Sequence, residues 1–133
     1  MMNRSELREE AFKLLYSKEV QGQLDKEQIE QYIAENEIDK SDYIYDIING
    51  IETNINQIQE IISNNLKSDW KIDRISKINL ALLKLSIYEI KYKELPYKVV
   101  INEVVELAKK FGEDTSANFI NGVLANVVKE IQD

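Results

Sequence analysis

Cysteine and histidine are absent from the 133 residues, proline occurs once and glycine four times. Without thiols or imidazoles there is no Cys/His zinc site, no thiol redox pair, no disulfide framework and no catalytic triad with an imidazole base. The scarcity of Gly and Pro also removes the commonest turn formers. Phosphate-cradling loops of the forms G-x-x-x-x-G-K-[ST] and G-x-G-x-x-G are missing. So are long apolar runs. The longest mainly apolar stretch, Leu80 to Ile90, is interrupted by Lys84, Ser86 and Glu89, too short and too polar to span a bilayer. The first ten residues are charged and carry no apolar signal-peptide core. A cytoplasmic protein that contacts no membrane is expected, although the missing cysteines alone say nothing of compartment. Any catalysis would rest on carboxylates, Lys, Tyr or a hard cation. Glu89 and Glu103 are the carboxylates beside apolar helix faces, and nothing in their spacing requires a metal or an acid/base pair. A partly buried Glu satisfied by a Lys, a Tyr or a helix N-terminus is the expected arrangement. Enzyme activity is disfavoured, and no metal or cofactor is expected.

What is present is the profile of one globular domain over residues 1–133, with 44% apolar and 31% charged side chains. Its net charge of −7 is unevenly spread. Residues 1–24 balance, whereas residues 25–66 hold two Lys against ten acids. Residues 67–110 reverse the sign with ten basic side chains against six acids, and residues 111–133 return one Lys against four acids. A basic face beside an acidic one is expected, an arrangement suited to two different partners.

Apolar residues recur at helical spacing along most of the chain. Residues 5–20 place Leu7, Ala11, Leu14, Leu15 and Val20 on one face, with Asn3 or Ser5 as N-cap and Gly22 as the stop. Asp25 and Gln28 form a capping-box pattern ahead of a short second helix carrying Ile29, Tyr32 and Ile33. Ser41 is expected to cap one long amphipathic stretch from Ile44 to Leu66, in which Gly50 marks a bend or a close helix contact. A polar break over Ser63 to Asp69 follows. Residues 76–92 are apolar nearly all round, which places that helix at the centre of a bundle. Pro96 suits the start of the next helix, which runs to Gly112, and Thr115 or Ser116 caps the last. Gly122 inside that last helix is expected at a tight crossing against residues 76–92, with Asn121 bonded to a buried polar group. No window alternates with period two for long enough to demand a strand. The expected fold is an all-α, single-domain bundle of about six or seven helices.

Arg4 and Arg8, four residues apart, share one side of the first helix, and Lys77, Lys84, Lys91 and Lys98 follow in the basic segment. Basic side chains on exposed faces hold phosphate oxygens, and RNA recognition adds a ring on which an unpaired base stacks. On composition alone these charges read as solvated helix faces. Phe119 is open to two readings, an exposed stacking platform or a core residue, and pattern alone favours the core.

Four stretches extend this reading. They are Arg8-Glu9-Glu10-Ala11-Phe12-Lys13-Leu14-Leu15-Tyr16, the segment Ile78 to Ile90, the run from Pro96 to Gly112, and Phe119-Ile120-Asn121-Gly122-Val123-Leu124. The third resembles the VxINExVELAKxFG signature of the NusB family of bacterial transcription antitermination factors, and the fourth resembles that family's F-[VI]-NGVL signature. Order and spacing match along essentially the whole chain, while residues 21–66 share only the helical pattern. The resemblance implies an all-helical, non-catalytic protein that binds boxA, a short single-stranded element of nascent ribosomal RNA. It implies pairing with the ribosomal protein NusE and joint loading into the antitermination complex on RNA polymerase. Matched residue by residue, it implies RNA contact by Arg4, Arg8 and Phe119, with Lys84 and Asn118 on the same basic side. A neighbouring surface including Tyr16 and Asn79 would take NusE. Glu6, Glu9 and Glu10 neutralise the two arginines, so RNA binding is expected to depend on the protein partner. The alternative is a helical protein-interaction adaptor without RNA binding of its own. The helical domain found in front of some ribosomal RNA methyltransferases is a third possibility, set aside because 133 residues leave no room for a methyl-donor domain. Monomer and homodimer both stay open.

Overall fold

The computed structural model describes residues 1–67 and 70–132. Seven α-helices follow one another among the described residues, with no strand: α1 Arg4–Gln21, α2 Lys26–Glu35, α3 Ser41–Thr53, α4 Ile55–Asn64, α5 Lys77–Ile87, α6 Tyr97–Phe111 and α7 Ser116–Gln132. A 3-10 turn, Ile72–Arg74, precedes α5, and a π turn, Tyr88–Tyr92, extends it. Of the expected polar break, residues 68 and 69 lie outside the described residues.

Local chemistry sets the first boundaries. The Asn3 side chain accepts from the Glu6 N–H while the Glu6 carboxylate accepts from the Asn3 N–H, and Asp25 with Gln28 repeats this reciprocal cap on α2. Gly22 ends α1 in the left-handed region at φ 88°, where a Cβ would be strained. Ser76 Oγ accepts from the Asn79 N–H to open α5.

Two boundaries differ from the sequence expectation. The long amphipathic stretch is two helices, broken at Asn54, whose side-chain amide donates to the Gly50 carbonyl at 2.8 Å and whose backbone sits at φ −108°, ψ 19°. Ser41 is the first residue of α3 and gives it no side-chain cap. Gly50 does mark a close approach. A Cβ there would lie 2.2 Å from the Tyr88 ring, whose hydroxyl donates to Asp46 at 2.7 Å.

The helix with apolar residues all round is central, as its pattern requires. α5 packs against α1, α3, α4, α6 and α7, and every residue from Ala81 to Ile90 is buried. Leu82, Leu83, Leu85 and Ile87 are each fully buried, worth about 1.5–3 kcal/mol apiece in apolar area. Around them lie Leu7, Ile44, Ile47, Ile58, Ile62, Ile120 and Leu124 from four other helices. Ser86 stays in this core because its hydroxyl donates to the Leu82 carbonyl.

Gly122 corrects an expectation. It is exposed, and among the described residues no atom of another element lies within 4 Å of where its Cβ would sit, so no helix crosses there. Asn121 is exposed as well rather than bonded to a buried group.

Candidate nucleic-acid interface

Arg8 lies on the inward side of α1, one residue from buried Leu7 and three from Ala11. Its guanidinium donates to both carboxylate oxygens of Glu89, at 2.6 and 3.2 Å, and to Glu103 at 2.8 Å. The Tyr43 hydroxyl also donates to Glu89, at 3.2 Å, and Ser5 Oγ donates to Glu103. Exposure of the Arg8 and Glu89 side chains is 3% and 1%, so this clamp ties α1 to the π turn, α3 and α6 from within. Burial pulls the Arg8 pKa down, but the hydrogen bond and charge of Glu89 outweigh it and hold the value above the ordinary one. Burial, then the Glu89 charge, pushes the Tyr43 phenol up.

The sequence reading set Arg8 and Lys84 on an exposed basic side, and the structure corrects both. Arg8 is committed to Glu89 and Glu103. Lys84 is 7% exposed and paired with Glu19 across the α1–α5 contact. Glu89 is satisfied by an arginine and a tyrosine, where a Lys, a Tyr or a helix end was expected.

Arg4 remains exposed, one turn earlier, its guanidinium 4.9 Å from the centre of the Tyr43 ring. It lines a groove of about 620 Å³ that sets Asp39, Asp42, Asp46 and Glu89 against Lys40 and Lys93. A second groove, of about 420 Å³, is bordered by Glu9, Glu103 and Glu106 together with Lys109 and Lys110. Burial raises the Glu9 pKa, but hydrogen bonds from Lys110 and Lys13 more than reverse this and keep its carboxyl below the usual range. Among the described residues no group of carboxylates is placed to hold a metal ion.

Asn118 and Phe119 stand apart from Arg4, in a third groove of about 440 Å³. There the first half of α7 faces the end of α4 and the chain that follows it. Phe119 is half-buried, which falls between its two sequence readings: one side packs on the core, and the ring meets Trp70 at a centroid distance of 6.3 Å. Trp70 is 47% exposed. Gly122 and Asn126 continue the wall along α7, and Asn65 and Lys67 lie opposite. None of the described residues lining this groove is acidic. Sequence reasoning missed Trp70. The available signal was the chain's one tryptophan standing in a polar connection, where no apolar periodicity calls for a large ring.

Tyr16 and Asn79 sit on neighbouring helices, since α1 and α5 pack together and the Lys77 ammonium reaches the Glu19 carbonyl. Tyr16 is 37% exposed and stacked on Phe12. Asn79 is half-buried, and its buried Oδ1 has no hydrogen-bond partner among the described residues. The seven candidate residues thus fall into separate places: Arg4 in a groove of mixed charge, Asn118 and Phe119 in the groove beside Trp70, Tyr16 and Asn79 on the α1–α5 surface, and Arg8 and Lys84 inside.

Known proteins share this architecture throughout. The transcription antitermination protein NusB of Clostridium botulinum (strain Alaska E43 / Type E3) is 42% identical over 134 residues, spanning 97% of this chain and 100% of that one. NusB from T. maritima has a TM-score of 0.88 at 32% identity, covering 97% of this chain and 92% of its own. A crystal structure of the antitermination factors NusB and NusE in complex with dsRNA has a TM-score of 0.86 at 26% identity, covering 96% of each chain. With the NusB family model matching residues 5–129 on top of this shared helical order, the chain belongs to the NusB family.

Proposed function

We propose that this chain is a transcription antitermination factor that binds boxA-type RNA in nascent ribosomal RNA together with NusE and helps form the antitermination complex on RNA polymerase in the cytoplasm. Its work is binding rather than catalysis. The observation that carries this reading is the fit, over 96% of both chains, to a NusB solved with NusE in complex with dsRNA. The Trp70 groove supports it locally, because a polyanion is repelled least where no carboxylate lines the surface, and none of the described lining residues is acidic. Asn118 and Phe119 are the RNA-facing residues of that groove, with exposed Arg4 an additional cation for a phosphate. Arg8 and Lys84 serve RNA binding only by holding α1 in place. Exposed Tyr16 and half-buried Asn79 form the surface that takes NusE.

A gel-shift titration of boxA-type RNA tests the reading, run with and without NusE. A shifted complex that forms with NusE, and weakens by about 1–3 kcal/mol on Phe119→Ala, is the expected result. No shift in either condition leaves a helical adaptor that binds protein alone.

A further inference from the structure

The groove between Trp70 and α7 holds more than the RNA reading requires of it. Phe119 alone supplies one stacking face. Trp70 adds a second ring, tilted by 42° to the first, and leaves about half of its surface in water. Indole rings contribute most when covered on their apolar face, and the described residues provide no cover for that half. Gly122 sits between the rings and Asn126, in mid-helix, where Gly is less favourable than Ala. Its missing Cβ answers to nothing among the described residues, because the space beside it is open. The absence therefore serves something that comes from outside and lies against the α7 backbone.

The lining says what that occupant is. Two aromatic faces call for flat π systems, and the carboxamides of Asn118 and Asn126, each both donor and acceptor, suit the edge of a base. Lys67, with no acid among the described lining residues, suits an anionic backbone, whereas the two other large grooves set four and three acids against three cations each. We propose that Trp70 is a second stacking platform for single-stranded RNA, taking the base next to the one on Phe119, and that Gly122 keeps the α7 backbone bare so that this base can lie flat. The proposal rests on the RNA-binding reading above.

Trp70 is the chain's one tryptophan, so fluorotryptophan labelling gives a single fluorine resonance even with NusE present. Titration with a short single-stranded RNA carrying boxA is expected to shift that resonance. Trp70→Ala weakens the RNA complex about tenfold, and Trp70→Phe recovers most of it. Gly122→Leu weakens RNA binding comparably without lowering the melting temperature, since its side chain enters open space. If Phe119→Ala loses RNA while Trp70→Ala and Gly122→Leu bind as the parent does, the second platform is overturned and the RNA-binding reading stands. If Trp70→Ala keeps RNA and loses NusE, the groove is a protein-docking site and the proposal fails. Should the parent protein bind no boxA RNA with NusE present, the reading and the proposal fall together.

Discussion

The Arg8 clamp and the Trp70 groove both lie where helices meet, and both bring rings and polar groups together, yet their groups are used in opposite ways. In the clamp every strong donor has an internal acceptor: Arg8 is held by Glu89 and Glu103, and Tyr43 turns its hydroxyl to the same Glu89. In the groove, the Asn118 and Asn126 amides are exposed and the indole is half covered. A cation in the right sequence position is therefore not yet a ligand for phosphate. What decides its availability is whether the fold supplies a carboxylate first, because a buried arginine that gave up its pair would leave Glu89 charged in the core.

The sharpest way to break this comparison is at Arg8. Arg8→Ala is expected to lower stability by about 3–5 kcal/mol, since it strands a 1% exposed Glu89. Thermal melts check it. The salt dependence of RNA binding should stay unchanged for whatever fraction folds, whereas a shallower slope with normal melting would return Arg8 to the RNA site.

A smaller effect is expected at high pH. The Tyr43 phenol is held above its ordinary value of 10 by burial and by Glu89, so the folded chain keeps its proton where the unfolded chain loses it. Stability from this group is full below about pH 10 and falls as pH rises further. Tyr88 acts in the same direction, pushed up to about 12 by burial and by Asp46. Denaturant titrations between pH 8 and 11 should show a decline that is shallower in Tyr43→Phe. An equal decline in both proteins would detach Tyr43 from the clamp.

The smallest effect sharpens the other side. Gly122→Ala is expected to raise stability by about 0.5–1 kcal/mol, because Ala is the better helix former and its Cβ meets nothing. A lower melting temperature would mean that α7 carries a contact at this position.

Helix order, reciprocal caps and the central place of α5 were legible in the sequence because each depends on neighbours within one or two turns. Asn3 with Glu6 and Asp25 with Gln28 are three residues apart, and the apolar circumference of residues 76–92 has one stable location. The break at Asn54 was not legible, since a side-chain amide competing for one carbonyl leaves the Ile periodicity on both sides intact. Nor were the partners of Arg8, which lie 81 and 95 residues away. Its burial was half legible, because a residue next to Leu7 and one turn before Ala11 and Phe12 belongs to the inner face of α1. Lys84, inside a run apolar all round, carried the same signal. Gly122 was misread because a helical glycine tells that room is needed, while only the three-dimensional surroundings tell on which side.

RNA affinity of Asn126→Asp tests the central claim most directly. Asn126 is exposed on α7 and lines the Trp70 groove, so the change keeps side-chain shape and adds one negative charge where an RNA strand would lie. The account predicts an unchanged melting temperature and a marked loss of boxA affinity in the presence of NusE, largest at low salt and shrinking as salt is raised. Affinity equal to that of the parent protein at every salt concentration would contradict it, and would place the RNA elsewhere on the bundle.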